Sequence, residues 1–84
     1  MPAYRPVLCE PAADFILALP RRSQRQAMEF ARKLARQPFA PADYAATDAE
    51  GHVIAQRLMG PYAFSFWIDH AACLVMIAAI ESAD

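Results

Sequence analysis

The sequence predicts an α+β fold in which a helix hairpin packs on one curved antiparallel β-sheet. The first observation behind this is a clear 3.6-residue periodicity of apolar side chains over residues 21–37. The second is a change after residue 43 to short extended segments separated by turn residues. The third is size, since a chain of 84 residues with 57% apolar content suits one compact domain over residues 1–84 and excludes intrinsic disorder.

The N-terminal third predicts a strand and a first helix. Residues 4–9 read as a strand, and Pro6 restricts it to an edge or irregular position because proline cannot donate to a ladder. A helix over residues 11–19 follows, since Pro11 suits the first helical turn and Asp14 adds negative charge near it. Pro20 ends this helix or begins the next one.

Residues 21–37 predict an amphipathic helix with a basic back. We expect Glu29 to pair with Arg25 and Lys33, each four residues away. Two prolines end the helix, and Phe39 between them is expected to fold back onto the core. The basic face consists of Arg21, Arg22, Arg25, Arg32, Lys33 and Arg36.

The C-terminal half predicts a four-strand meander, because turn sequences separate four extended runs. In the third run Tyr62, Phe64, Phe66 and Ile68 lie on one face and alternate with Ala63, Ser65 and Trp67 on the other, so the aromatic row is expected to face the helices. The last run is apolar on both faces, which is typical of a central strand. The four runs are residues 43–47, 52–58, 62–68 and 73–80.

The near-neutral net charge of −1 combines two unlike parts. Residues 21–36 carry six basic side chains against one glutamate, a net of +5, and the rest of the chain is acidic at −6. No targeting signal or membrane-spanning run is visible, so a cytoplasmic location away from membranes is expected. In that compartment Cys9 and Cys73 are interpreted as small core residues.

Two strings resemble the RelE/ParE superfamily of toxins from type II toxin–antitoxin modules, which includes plasmid-stabilisation proteins. FILALPRRSQRQAMEFARKLARQPF is similar to the family's helix-Leu-Pro-helix hairpin, and QRLMGPYAFSFWIDHAACLVMIAAI to its Gly-x-Tyr motif, aromatic strand and last hydrophobic strand. The resemblance implies a cytoplasmic toxin held inactive by a cognate antitoxin protein. Some members of the superfamily cut mRNA on the ribosome, whereas others inhibit DNA gyrase.

The resemblance fails where ribosome-dependent members carry their nuclease residues. Those members have an arginine directly after the tyrosine of the Gly-x-Tyr strand, and this chain has Ala63 there. They also have basic, histidine or tyrosine residues after the last strand, and the residues of this chain at that place are Glu81, Ser82, Ala83 and Asp84. RNA cleavage by 2′-hydroxyl attack needs a base and a cation near the phosphate. Whether the chain is an enzyme is therefore left open.

Two residues predict an interaction hot spot. Arg57 is expected on the uncovered face of the sheet, where it could grip a phosphate or a carboxylate, the alternative being an edge-strand arginine paired with Asp43 or Glu50. Trp67 lies opposite the aromatic row together with Ser65, unless the N-terminal segment covers that face. The predicted partner-binding residues are Arg57, Trp67 and Ser65.

Histidines supply the remaining chemical candidates. His70 and Arg57 are the catalytic candidates if the chain cuts RNA, and His52 is another base to test. His70 and Cys73 have ligand spacing but lack a third and fourth ligand, so no metal site and no cofactor are predicted. Asp69 more simply accepts turn N–H groups, with His70 and His52 in solvent.

Three functions remain open from the sequence. The first is a toxin that binds a target such as gyrase or the translation apparatus. The second is a ribosome-dependent mRNA endonuclease using Arg57, the basic helix and a histidine, because clustered Lys and Arg can contact phosphates. The third is a member without toxicity that pairs with a partner or with itself as a homodimer, because an apolar sheet face tends to be covered.

Overall fold

The computed structural model describes residues 3–83, which form two helices and one five-stranded sheet. This is the predicted α+β fold, and each predicted helix and strand is present. In chain order the elements are β1 (Arg5–Leu8), α1 (Glu10–Leu17), α2 (Arg21–Arg36), β2 (Tyr44–Thr47), β3 (Val53–Met59), β4 (Tyr62–Asp69) and β5 (Leu74–Ser82).

The strands are arranged in the order β1-β5-β4-β3-β2. The four C-terminal strands form the predicted antiparallel meander, and β1 adds to β5 in parallel at the far edge. The amides of Arg5 and Cys9 donate to the carbonyls of Cys73, just before β5, and Ile77, within β5. Pro6 lies between these donor positions, so its missing N–H removes no hydrogen bond between the two strands. The prediction of an edge strand at the N-terminus and a central last strand is confirmed.

A β-bulge in β5 changes which side chains of that strand face the helices. Phe66 pairs with Ile77 and Ser65 with Ala79, which leaves Ala78 as an extra residue. The irregularity brings Ile77 and Ile80 onto one face although they are three positions apart. Both are buried, at 0% and 5% exposure. Strict alternation would have turned one of them away from the helices.

The helix hairpin is held by local polar contacts at its bend. The helix α1 begins at Glu10, one residue before the predicted start, and ends at Leu17, two before the predicted end. The Gln24 side chain on α2 donates to the carbonyls of Leu17 and Leu19, at 3.3 and 3.0 Å. These bonds satisfy carbonyls that the end of α1 leaves free. Pro20 then serves as the N-cap of α2.

The core lies between the helices and the aromatic row of β4. Tyr62, Phe64 and Phe66 are buried as predicted, and Ile68 packs partly buried against them. The β3–β4 turn approaches α2 so closely that a Cβ on Gly60 would lie 2.6 Å from Cζ of Phe30. Gly60 also has a φ of +59°, so the turn needs glycine for two reasons.

Cys9 and Cys73 are half-buried free thiols, with less burial than expected of core residues. The last strand extends two residues beyond its predicted end, so Glu81 and Ser82 belong to β5 and not to a tail. The predictions on Asp84 lie outside the described residues. Within residues 3–83, no helix has the length and apolarity needed to cross a bilayer.

Candidate partner-binding surfaces

The sheet face turned away from the helices, called the open face below, carries Trp67 as predicted. Trp67 pairs with Met76, and the next position toward Ala63 on this face is Ser65, which pairs with Ala79. The imidazole of His52 stacks on the indole, with ring centroids 4.6 Å apart and an interplanar angle of 12°. Both side chains are half-buried. Thus the ring on Trp67 is that of His52, whereas the alternative prediction was cover by the N-terminal segment. His52 is half-buried and not the solvated residue that was expected.

The strands β3, β4 and β5 bring no cation to the open face, and the nearest one is Arg5, which is exposed on the edge strand β1 and pairs with Leu74. Ala63 pairs with Leu58 on one side and Glu81 on the other. Register and alternation place the following side chains of β3, β4 and β5 on this face: Ile54, Gln56, Leu58, Ala63, Ser65, Trp67, Asp69, Leu74, Met76, Ala79 and Glu81. None of these is Lys or Arg, and two are acidic.

The expected position of Arg57 on the uncovered face is wrong. Arg57 pairs with Phe64, so its side chain points to the helix-covered face, where it is 8% exposed. Its Nη1 donates to Gln37 O at 3.0 Å and its Nη2 to Ala40 O at 2.6 Å. The guanidinium also lies 5.2 Å from the centre of the Phe66 ring. Arg57 therefore ties the C-terminus of α2 to the sheet, and its side chain lies on the face opposite that of Trp67.

The edge-strand alternative for Arg57 also differs from the observed contacts, because its partners are backbone carbonyls and no Arg57 ion pair forms within residues 3–83. The C-terminus of α2 carries partial negative charge, which favours a cation there. Burial lowers the pKa of Arg57, and the negative charge of Asp43 offsets this in part. The guanidinium remains protonated at neutral pH.

The residues around His70 form a small aromatic cluster at the β4–β5 turn. Asp69 accepts the amide of Ala72 at 3.1 Å, as expected for a turn aspartate, and His70 is exposed. The rings of Phe39 and His70 are parallel at 5.8 Å, and Tyr4 approaches both edge-on. Phe39 is 65% exposed, so the expectation that it enters the core is wrong. The chain folds it onto the turn because Arg57 fixes the backbone on either side.

Three side chains of the β2–β3 turn could bring oxygen and nitrogen ligands together. The ligand atoms of Asp48, Glu50 and His52 lie within 4.8 Å of one another. The Asp48 carboxylate is already occupied by the turn, where it accepts the amides of Glu50 and His52, each at 2.9 Å. These bonds, with His52 the largest contributor, lower the pKa of Asp48. The group is explained by hairpin structure.

The basic back of α2 has the expected position, since all six of its cationic side chains are exposed. The local pairing differs from the prediction: Glu29 contacts Arg32 at 2.9 Å, three residues away, and not Arg25 or Lys33. An exposed pair of this kind contributes little stability. The remaining cations are therefore available to an acidic partner or to nucleic acid.

A groove beside this basic surface was not found from the sequence. It lies between α1, α2 and β1, has a volume of about 680 Å³, and is called the helix groove below. Its apolar part includes Leu17, which is 72% exposed, and its charged part includes Arg25 and Arg32. The lining is Leu8, Ala13, Ile16, Leu17, Gln24, Arg25, Met28, Glu29 and Arg32. The exposed position of Leu17 at the end of α1 depends on where that helix stops, which the sequence places two residues too late.

The fold, a two-helix hairpin on a five-stranded mixed sheet, can be compared with known proteins. No protein-family model and no curated protein matches the sequence. Several solved structures do match this chain. The chain is similar to one in the RelBE2 toxin–antitoxin complex of Mycobacterium tuberculosis, with 21% identity, a TM-score of 0.75 and coverage of 98% of this chain and 93% of that one.

Two further complexes have the same architecture. One is the archaeal RelE–RelB complex of Pyrococcus horikoshii, with 15% identity, a TM-score of 0.70 and coverage of 95% and 94%. The other is the intact RelBE toxin–antitoxin complex of E. coli, with 14% identity, a TM-score of 0.59 and coverage of 98% and 99%. The RelE/ParE-like fold inferred from the two sequence strings is thus confirmed over nearly the whole chain.

Proposed function

We propose that this chain is the toxin component of a type II toxin–antitoxin module, that it inhibits growth by binding a cellular target, and that a cognate antitoxin neutralises it in the cytoplasm. The observation that carries the proposal is the fold match over nearly the full length of chains from three toxin–antitoxin complexes. Fold alone does not define activity, so the choice of mechanism depends on the surfaces.

Binding is favoured over RNA cleavage because of where the cations lie. The open face has no Lys or Arg on β3 to β5 and carries Arg5 only at its β1 edge, away from Ala63. Arg57 lies on the opposite face of the sheet with both Nη groups engaged. A cation is needed where charge develops on a phosphate, and removing such a contribution typically costs about 100-fold or more in rate. The gyrase-like or translational target would therefore be held by contact surfaces and not cleaved by these residues.

The helix groove is the better of two surfaces for the antitoxin. It offers an apolar floor at Leu17 and Met28 and a basic rim at Arg25 and Arg32, next to a helix of net charge +5. An amphipathic helix with acidic flanks matches both features, since its apolar face can fill such a groove. Trp67 and Ser65 on the open face provide the second surface, because tryptophan is a frequent interaction anchor.

Induced expression tests the proposal. We expect growth arrest while cellular mRNA stays intact, and relief of the arrest by co-expression of a small protein encoded next to this chain. Unaffected growth would contradict a toxin and favour the non-toxic or self-associating member. Arrest with cleaved mRNA would favour the endonuclease.

Matched substitutions test the groove. Leu17→Asp places a negative charge in the helix groove, and Leu58→Asp places the same charge on the open face, where Leu58 is 54% exposed. We expect the first to weaken antitoxin binding at least about tenfold and the second to leave it within about twofold, since one lost anchor is worth more than 1 kcal/mol. Equal effects would remove the groove from the interface. Trp67→Ala tests the open face in the same assay.

A further inference from the structure

A second cavity lies under the segment that joins α2 to β2. Its volume is about 440 Å³, within the range of about 300–1,000 Å³ that is typical of small-molecule sites. The joining segment contributes Pro38, Phe39, Ala40 and Ala42, and the ends of β3 and β4 contribute the opposite wall. This cavity, called the strap pocket below, is separate from the helix groove, and the two have no lining residue in common.

The strap pocket is rich in planar rings. Phe66 and Trp67 line it from β4, Phe39 lines it from the joining segment, and His52 and His70 line it from the two flanking turns. Two of the histidine contacts are stacks, His52 on Trp67 and His70 on Phe39. The remaining wall is small and apolar, including Ala55 and Ile68. Rings and small apolar groups at a cavity wall favour a flat aromatic ligand.

The charge of the lining has one sign. Arg57 is part of the wall, and the lining includes no Asp or Glu, although the chain outside α2 is acidic overall. The guanidinium is nine-tenths buried, and its Nε is buried without a hydrogen-bond partner among residues 3–83. No carboxylate of the described residues lies within ion-pair distance of it. A buried cation that has no carboxylate within ion-pair distance, with Asp43 acting on it only from farther away, makes the neighbouring cavity attractive to an anion.

The guanidinium is also fixed in place before any ligand arrives. Two bonds to Gln37 O and Ala40 O hold it, and the Phe66 ring supports it from 5.2 Å. A preorganised group loses little conformational entropy on binding, so its contribution to affinity is larger than that of a mobile surface arginine.

We propose that the strap pocket binds a planar aromatic anion of the size of a nucleoside monophosphate, with the base between Phe39 and Phe66 and the phosphate toward Arg57. The imidazole of His70, at one flank of the pocket, adds a donor for the phosphate. This site goes beyond the proposed toxin function and stands independently of it, because it depends on neither the antitoxin surface nor the open face.

Trp67 is the sole tryptophan and is among the residues that line the pocket, so its emission is sensitive to a ligand bound next to Phe66. The probes are AMP, adenosine, which lacks the phosphate, ribose 5-phosphate, which lacks the base, and a 5′-phosphorylated adenosine trinucleotide. We expect AMP to quench Trp67 saturably and to bind at least about tenfold more tightly than adenosine or ribose 5-phosphate, the factor expected for one hydrogen bond to a charged group.

The trinucleotide distinguishes the source of the ligand. Binding equal to that of AMP identifies a free nucleotide, and tighter binding identifies an RNA end; both support the pocket. No saturable quenching by AMP at millimolar concentration, or equal binding of adenosine and AMP, would overturn the proposal.

Variants separate the site from general stability. Phe39→Leu changes a 65% exposed ring at the pocket, and Tyr44→Leu changes a 63% exposed ring outside the lining. We expect the first to weaken AMP binding about fivefold, within the range for one lost aromatic contact, and the second to leave it unchanged. Because Arg57 also holds the fold, Arg57→Lys is compared with them only after a thermal melt shows that it is folded. If Phe39→Leu and Tyr44→Leu bind AMP alike, the assignment fails.

Discussion

Replacing Arg57 by methionine tests whether this residue ties α2 to the sheet. Methionine keeps an unbranched apolar stem but removes two charged hydrogen bonds, to Gln37 O and Ala40 O, and the contact with the Phe66 ring. Hydrogen bonds to charged groups contribute about 1.5–3 kcal/mol each. The cation–π contact adds about 0.5–1 kcal/mol. The variant regains the free energy that burial of the charge costs, so we expect a net loss of about 3 kcal/mol.

A loss of this size is a large share of the total. A domain of this length is expected to have a free energy of unfolding of about 4–13 kcal/mol. Urea denaturation followed by circular dichroism gives the free energy directly, and with an m value of about 1–2 kcal/mol/M the midpoint should fall by at least about 1.5 M. Unchanged m values would show that the denatured state is not affected.

Arg36→Met is the matched control. Arg36 is also basic and lies in the last turn of α2, but it is exposed. Its loss removes a helix-dipole contact worth about 0.3–1 kcal/mol. If Arg57→Met and Arg36→Met lower the free energy of unfolding equally within about 0.5 kcal/mol, the contacts of Arg57 do not stabilise the fold and the reasoning is refuted.

Three further predictions concern the turns. Gly60→Ala should lower the free energy of unfolding by about 2 kcal/mol or more, because its Cβ would lie 2.6 Å from Phe30 and φ is +59°. Gly51→Ala is the control, since Gly51 has a φ of +88° but open space around it, and it should lower the free energy of unfolding by only about 1 kcal/mol in the same urea titration. The folded state lowers the pKa of Asp48, so the ionised carboxylate stabilises the β2–β3 turn at pH values above the unfolded value of 3.8, and this stabilisation is lost as the pH falls through the folded pKa. In the wild type, amide exchange at Glu50 and His52 should therefore become faster in acid, and Asp48→Asn should remove this pH dependence. An unchanged pH profile in the variant would contradict the prediction. His52→Ala should shift the emission maximum of Trp67 to longer wavelength by removing the stacked ring, and an identical spectrum would show that the stack does not shield the indole in solution.

The sequence predicted the architecture because its periodic signals were strong and local. Alternation in residues 62–68 identified the buried aromatic row, and the basic back of α2 followed from helical spacing. The positions that failed are those set by tertiary contacts. Strand parity placed Val53, Ala55 and Arg57 on one face correctly, but which face the helices cover at β3 depends on the register with Phe64.

The candidate site was predicted less completely, for a related reason. Trp67 and Ser65 were found because alternation within one strand fixes their face. The helix groove and the strap pocket were missed because each combines residues from distant segments, such as Leu8 with Arg32 or Phe39 with Phe66. No local pattern encodes those distances. The bulge at Ala78 was hidden for the same reason, since it exists only relative to β4.

The two faces of the sheet decide between the enzymatic and binding interpretations. For Arg57 to assist cleavage at the open face, its guanidinium would have to reach past the strand that carries Phe64 and Ser65, giving up both carbonyl partners on the way. Breaking these two hydrogen bonds costs several kcal/mol before any substrate is bound, whereas a cation placed at position 63 would reach the open face without breaking them. The chain instead places leucine and glutamate beside Ala63, and its exposed cations lie on α2 and at Arg5 on the edge strand β1. A surface of this composition suits contact with a protein. A binding toxin should therefore lose toxicity in Trp67→Ala and keep full toxicity in His70→Gln. The reverse pattern would point to general-base catalysis by His70.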